Sequence, residues 1–301
     1  MSGGPRNVWV DGQVVPADAR QLSVSDRGFQ LGDGIFETLR AKGGRCTELP
    51  EHVARLRRSA AGLAFELPGD VDAVLAEGIA RLLAAEGLDG PGSDASVRIT
   101  VSRGTWASRG LLPPRDVHLV PTVVIQAWPV EPPPAGHLEH GISLVASRIR
   151  RDPQNPIVTL KTTSRADYVY ARIEARTAGA DDALFLTTAG HLSESTTANV
   201  FLVRTALDGV LELATPSLDC AILPGTTRSW LLRWAASVGL RPVEVWLTPD
   251  ELATADEAFL SSSVAGILPV TRFNGHPIGT GVPGPWTKRA RADREAVFGQ
   301  S

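Results

Sequence analysis

Two cysteines in 301 residues, Cys46 and Cys220, are too few for a disulfide framework. They stand far apart, with no CxxC or Cys/His ligand spacing around them, so no zinc site is indicated and both read as ordinary buried thiols. No uninterrupted apolar run approaches the roughly 18 residues of a membrane span, and the opening MSGGPRNVWVDG lacks the apolar core of a leader peptide. A soluble, cytoplasmic protein with no membrane partner is the expectation. Neither sign of charge is in excess, with 30 Lys and Arg against 33 Asp and Glu. No strong field draws such a chain to nucleic acid, and the expected partners are small molecules and further copies of itself. Internal repeats, low-complexity tracts and heptads are absent as well.

The length allows a sizeable core and suggests two domains. Residues 8–15, VWVDGQVV, read as an edge hairpin about Asp11-Gly12, a pair that tolerates positive φ. In SVSDRGFQLGDGIFETLRAKGGRC the glycines at 28, 32 and 34 break any helix, Asp33-Gly34 offers a turn, and IFETLRA alternates as a strand. The glycine spacing is neither GxGxxG nor a Walker pattern, which argues against a nucleotide loop. From Pro50, helical spacing of Val53, Leu56, Ala60 and Leu63 predicts a helix, and of its arginines at 55, 57 and 58 only one need face a site. A second helix over 71–88, a strand in SDASVRITVSRG, a loop in TWASRGLLPPRD and a strand over 119–128 complete the first half.

The stretch PVEPPPAG is a stiff connector of the kind found between domains. It sets a small domain at 1–128, a linker at 129–136 and a larger domain at 137–301. Beyond it, GISLVAS, IVTLK, DALFLTT, ANVFLVR, VLELATP, PVEVWLT and EAFLSSSVAGILPV read as strands. Helices are expected over 167–179, in TRSWLLRWAASVG, in TPDELATA with a Thr248/Glu251 capping box, and at the basic C-terminus. Strands and helices without regular alternation argue for the α+β class in both halves.

The stretch that the rest serves is LKTTSRADYVYARIEARTAGADDALFLTTAGHLSESTTANVF. Lys161 follows an apolar run, so its amine would leave a strand close to the core, where desolvation lowers a lysine's pKa and makes it nucleophilic. Glu194 stands between a predicted strand and another apolar run, a position that buries it. Amine and carboxylate together suit a cofactor that needs both a covalent anchor and a counter-ion. Gly225-Thr226-Thr227 before a helix makes an anion cup, Ser261-Ser262-Ser263 adds hydroxyl donors, and Arg55 supplies positive charge. Taken singly, each has a plainer reading: a surface lysine, a turn carboxylate, hydroxyls that cap helices. Trp106 and Arg109 sit in a loop where an arginine beside an aromatic can clamp a carboxylate or simply face solvent.

Taken in order, DRGFQLGDGIFETLR, HVARL, LK, ESTTANVF, LPGTTR and ADEAFLSSSVAGILPV resemble the class IV (fold-type IV) pyridoxal-phosphate family, over nearly the whole chain. That family includes D-amino acid aminotransferases, branched-chain aminotransferases, (R)-amine transaminases and aminodeoxychorismate lyase. The resemblance implies a small α/β sandwich domain, a larger pseudo-barrel domain, pyridoxal 5'-phosphate in the cleft between them, and a homodimer. It makes Lys161 the residue that bonds the cofactor as a Schiff base and shuttles the proton, and Glu194 the partner of the pyridine nitrogen. Arg55, Thr226, Thr227, Ser262 and Ser263 would hold the phosphate, and Leu223 would pack on the ring face. Phe29, Phe36 and Thr38 would line the substrate side.

Within the family, Arg103 and Arg109 in SRGTWASRG resemble the loop with which D-amino acid aminotransferases grip the substrate carboxylate, and Trp106 lies between them. Leu111 stands where that loop normally has a histidine, and Phe29 replaces the expected tyrosine; a more apolar pocket would also admit (R)-primary amines. The resemblance therefore implies an amino donor of D-amino acid type and a 2-oxo acid. Aminodeoxychorismate lyase, forming 4-aminobenzoate and pyruvate, is the alternative, followed by the branched-chain enzyme, whose Gly-Thr-Ala-Ala turn SSSVAG lacks.

Overall fold

The computed structural model describes residues 4 and 6–300. The first few residues of the opening stretch, and residue 301, lie outside them, so the reading of that stretch as leaderless falls partly outside the described residues. The chain divides into two compact units, one of Met1–Glu131, Leu160–Arg165 and Val297–Ser301, the other of Pro132–Thr159 and Ala166–Ala296. The expected larger domain was one continuous run over 137–301. Instead, the hexapeptide that contains Lys161 belongs with the first unit.

In the first unit β1 (Asn7–Val10) and β2 (Gln13–Pro16) form the expected hairpin. Both turn residues, Asp11 at φ 45° and Gly12 at φ 96°, take the positive values that a twisted two-residue turn requires. Then follow α1 (Arg27–Leu31), β3 (Gly34–Lys42), β4 (Arg45–Cys46), α2 (Leu49–Gly62), α3 (Val71–Glu86), β5 (Asp94–Ser102) and β6 (Thr122–Pro129). Among the described residues the strands form one six-stranded sheet in the order β2-β1-β6-β5-β3-β4. Burial alternates along β5, and Val97, Ile99, Ile35 and Leu39 meet Leu56, Leu75 and Leu82 of the two long helices in one core. Each such side chain contributes about 1.5–3 kcal/mol when fully buried.

The short helix α1 corrects the expectation that its glycines forbid one. Asp26 caps it by accepting from the Gly28 N–H, and Gly32 ends it in the left-handed conformation, so one glycine terminates what it was expected to prevent. Gly34 opens β3 rather than forming a turn with Asp33.

The second unit contains β7 (Ile142–Arg151), α4 (Ala166–Thr177), β8 (Asp182–Thr187), β9 (Leu192–Ser195), β10 (Asn199–Thr205), β11 (Leu211–Pro216), α5 (Thr226–Ser237), β12 (Arg241–Val245), α6 (Pro249–Ala253), β13 (Glu257–Ser262), β14 (Gly266–Phe273), β15 (His276–Pro277) and α7 (Pro285–Val297). Among the described residues its nine strands run β12-β11-β10-β13-β14-β7-β8-β9, with β15 on β14. Because β9 also pairs with β10, at Glu194 and Asn199, the path from β10 round to β9 closes on itself, the barrel-like sheet that was expected. Thr248 and Glu251 form the capping box at α6.

Two strand readings are corrected. IVTLK is not a strand: Asn155 folds the chain with its side chain accepting from the Ile157 N–H at 3.0 Å, and Ile157 is exposed. An apolar β-branched run has the local preference for a strand, but among the described residues no ladder forms along it and only its last residue, Lys161, bonds to a strand, β3. EAFLSSSVAGILPV is a hairpin, since β13 and β14 pair antiparallel from Ala258/Val270 to Ser262/Gly266.

Candidate active site

In the first unit the Lys161 backbone is pinned on two sides. Its N–H donates to Ser59 Oγ of α2 at 3.1 Å, and its carbonyl accepts from the Phe36 N–H of β3 at 2.9 Å. Thr162 bridges to Ile35, and Thr163 donates to the carbonyls of Gly34 and Gly32. Lys161 thus gains its fixed position from β3 and α2, not from a strand of its own. Its Nζ lies 4.7 Å from the centre of the Phe36 ring, which also carries the Arg98 guanidinium at 3.9 Å and that of Arg165 at 5.6 Å. Cations favour the negative face of an aromatic ring, so buried Phe36 gathers three of them. Burial, followed by the neighbouring Arg165, lowers the pKa of Arg98.

Alternation along β3 sends the next side chain, Glu37, to the opposite face. There, at 0% exposure, its carboxylate accepts from Arg55 Nε at 2.8 Å and Arg55 Nη2 at 2.6 Å, and contacts His52 Nδ1 at 2.7 Å. Of the three arginines of this helix Arg55 is the buried one, and Arg57 and Arg58 are exposed. Burial alone would raise the Glu37 pKa; the hydrogen bonds and charge of Arg55, with those of His52, outweigh it and hold the carboxyl at about 2. Burial lowers the pKa of His52, opposed by Glu37 and reinforced by Arg55 and Lys161, so the imidazole is neutral near pH 7 and Nδ1–H donates. Neither Glu37 nor His52 was among the expected site residues. The signal was a glutamate at an inward position of IFETLRA, opposite an HxxR helix.

Because both pKa values are depressed on folding, both groups contribute stability above their unfolded values, lost as pH falls. We expect the denaturant midpoint of the protein to drop steeply between pH about 4.5 and about 2, where Glu37 titrates. Measured for the wild type and Glu37→Gln, that slope should be shallower in the variant.

The expected substrate residues of this unit are placed as follows. Thr38 is half-buried on the Phe36 face of β3, opposite Arg98 of β5. Phe29 stands on the outer side of α1 at 76% exposure. Arg103 donates to Asp33 at 2.7 and 3.1 Å and to the carbonyls of Leu63 and Ala64, beside the Phe65 ring. Arg27, buried, shares Asp33 and donates to the carbonyls of Gly110 and Leu111, with Trp106 against its guanidinium. Arg109 is exposed.

In the second unit Glu194 is 5% exposed on β9, where the barrel closes. One oxygen accepts from Arg151 Nη2 at 3.4 Å and Tyr168 Oη at 3.5 Å; the other accepts from the Leu223 N–H at 2.9 Å and Asn199 Nδ2 at 3.3 Å. Arg151 is itself buried, held by the Val158 carbonyl and the rings of Tyr168 and Phe185. Burial would lower its pKa, but Glu194 and Tyr168 more than offset this, so the guanidinium stays charged. Arg151, Tyr168 and Asn199 were not anticipated, since no local pattern marks them.

Leu223 leads into the N-terminus of α5. Gly225 occupies the cap position with no side-chain cap on the first turn, and a Cβ there would lie 2.2 Å from Asn199 Oδ1. Thr226 and Thr227 begin the helix, and Thr226 Oγ1 lies 3.2 Å from Ser263 Oγ, with Ser262 adjacent. A helix start with hydroxyls and no acidic side chain in its first turn is the chemistry of an anion site. A buried carboxylate with its own fixed cation is the chemistry that receives a pyridine N–H. Both parts of the donor set fit pyridoxal 5'-phosphate, and the second unit brings five expected residues together: Glu194, Leu223, Thr226, Thr227 and Ser263.

The model of the family Amino-transferase class IV matches residues 34–273. The chain belongs to the class IV aminotransferases. It is 34% identical over 287 residues to the "Putative branched-chain-amino-acid aminotransferase" of Methanocaldococcus jannaschii, covering 94% of this chain and 93% of that protein. To the "D-alanine aminotransferase" of Bacillus licheniformis it is 29% identical, covering 94% of each. Its fold matches that of the T.th. branched-chain amino acid aminotransferase solved with pyridoxamine 5'-phosphate, with a TM-score of 0.87 and 28% identity over 100% of this chain and 96% of that one. This class IV aminotransferase is a pyridoxal-phosphate enzyme that moves an amino group between an amino acid and a 2-oxo acid. No helix among the described residues is long and apolar enough to cross a membrane.

Proposed function

We propose that the enzyme transaminates apolar amino acids of the branched-chain class with a 2-oxo acid as acceptor. The observation that carries this choice over the D-amino acid type is the state of the two loop arginines. Arg103 is committed to Asp33 and two backbone carbonyls, and Arg109 is exposed, so within their unit neither is part of a formed carboxylate clamp. The name of the M. jannaschii relative points the same way. The D-amino acid reading, also extended to (R)-primary amines, keeps the support of the B. licheniformis relative and the SRG…RG motif.

When bound, the cofactor supplies a carbonyl that takes up the amino group and a ring that delocalises the electrons left as the Cα–H bond breaks. Lys161 is the amine that anchors it and carries the proton to and from Cα. Glu194, beside Arg151, would accept from the N–H of the pyridine ring. Arg55, Thr226, Thr227, Ser262 and Ser263 bind the phosphate, Leu223 packs on the ring, and Phe36 and Thr38 face the substrate. A homodimer is part of this proposal, supported by exposed apolar residues on the first unit that include Val24, Phe29, Leu111, Leu112 and Val120, and a cytoplasmic location is proposed with it.

The test is the absorbance of the holoenzyme during separate additions of L-leucine, D-alanine and (R)-1-phenylethylamine without a 2-oxo acid. Conversion of the yellow band to the pyridoxamine form by L-leucine is the expected result. Conversion by D-alanine alone, or by D-alanine and the amine, would instead establish the D-type reading. A band that persists through all three would transfer the assignment to the lyase, assayed by pyruvate release from aminodeoxychorismate.

A further inference from the structure

Helix α7 is fastened across the second unit by paired contacts. At its start the N–H groups of Trp286 and Thr287 and the Thr287 hydroxyl donate to the Glu257 carboxylate of β13. Further along, Asp293 accepts from Trp234 Nε1 of α5 at 2.8 Å. The next residue, Arg294, is 1% exposed, among the most deeply buried large side chains of the protein. Its guanidinium lies 5.2 Å from the centre of the Trp230 ring, and its Nη2 is 3.3 Å from Thr227 Oγ1.

Two features of that contact bear on the N-terminus of α5. First, a guanidinium has donors only, so in this bond the Thr227 oxygen accepts. The hydroxyl's own hydrogen is then directed away from Arg294 and is available to another acceptor. Second, the charge has the wrong sign for its place. The first turn of a helix carries the positive end of the macrodipole, where anions are favoured and a buried cation is opposed. A buried guanidinium against the first turn of α5 raises the local positive potential further, an arrangement that favours a dianion arriving there.

We propose that Arg294 is a positioning residue of the phosphate site: it fixes the Thr227 hydroxyl as a donor and adds buried positive charge, tuning the α5 N-terminus for a phosphate monoester. The proposal rests on the reading of that N-terminus as the site of the cofactor phosphate. Arg294 acts through Thr227 and through its field, and Trp230 and the α7 anchors hold it in place.

The experiment compares the affinity of the apo-protein for pyridoxal 5'-phosphate and for pyridoxal, which shares the ring and aldehyde but lacks the phosphate. Arg294→Met, with a buried apolar chain of similar length, is expected to weaken the phosphorylated ligand about tenfold or more and to leave pyridoxal unchanged. Thr227→Val should also lower the affinity ratio, and the double variant should lose less than the two single losses combined. If Thr227→Val lowers the ratio and Arg294→Met does not, the role of Arg294 is overturned and the phosphate site stands. If neither lowers it, the phosphate reading of α5 is itself wrong. Should Arg294→Met fail to fold, Arg294→Lys, which keeps the charge but not the planar fork, is expected to lower the ratio about threefold, and an unchanged ratio there overturns the proposal.

Discussion

Replacing Lys161 by alanine should reduce turnover by on the order of 10⁴-fold, to the background of the bound cofactor alone. In the proposed function Lys161 is both anchor and proton carrier, so no neighbour is expected to substitute for it. Its backbone bonds to Ser59 and Phe36 do not involve the side chain, so the fold should survive. Cofactor should still bind through its phosphate and ring contacts, now without the yellow band of the lysine adduct. Dialysis followed by absorbance and a steady-state assay checks both halves; a variant that turns over at wild-type rate would remove Lys161 from the chemistry.

The largest expected stability change lies on the other face of β3. Glu37→Ala leaves Arg55, itself buried, without the carboxylate that takes two of its donors, and His52 without its acceptor. Breaking a buried pair by removing one partner costs about 3–5 kcal/mol, because the remaining charge stays out of water. Denaturant unfolding should show that loss. The exposed pair of Arg57 on α2 and Asp72 on α3 offers the contrast, since water screens both groups and Asp72→Ala should leave the midpoint where it is. Equal effects at the two sites would mean that burial is not what gives the Glu37 pair its importance. Arg55 is proposed to hold the cofactor phosphate, so Glu37→Ala should also weaken cofactor binding even in molecules that remain folded.

The parts legible in the sequence were those set by neighbours in the chain. The Asp11-Gly12 turn, the Thr248/Glu251 capping box and the inward arginine of α2 each follow from spacing over a few residues, and each is in the structure. The order of the motifs was legible too, because they carry chemistry that few other residue types could perform. What escaped were partners brought together across the fold. Arg151 reaches Glu194 from another strand, Asn199 meets it only because the barrel closes there, and Arg294 reaches Thr227 from a helix near the C-terminus. Arg103 was placed at the substrate by the resemblance of SRGTWASRG to the D-amino acid aminotransferase loop; its partners in the structure, Asp33 and the carbonyls after α2, lie far from it in sequence. The IVTLK run shows the opposite error, a local strand preference along which no ladder forms, with only Lys161 at its end bonded to β3.

The hydrogen bonds that seat Lys161 also set an order of events. Gly34 and Phe36 are made early in synthesis, but the residues that bond to them, Thr163 and Lys161, follow only after β7. The first unit therefore cannot be complete when Glu131 leaves the ribosome; it waits for a short segment embedded between stretches of the second. Contacts of such wide sequence separation form late, after the entropy of closing the loop has been overcome. Lys161 thus acquires its surroundings only once β7 has been made, well after the strand and helix that seat it.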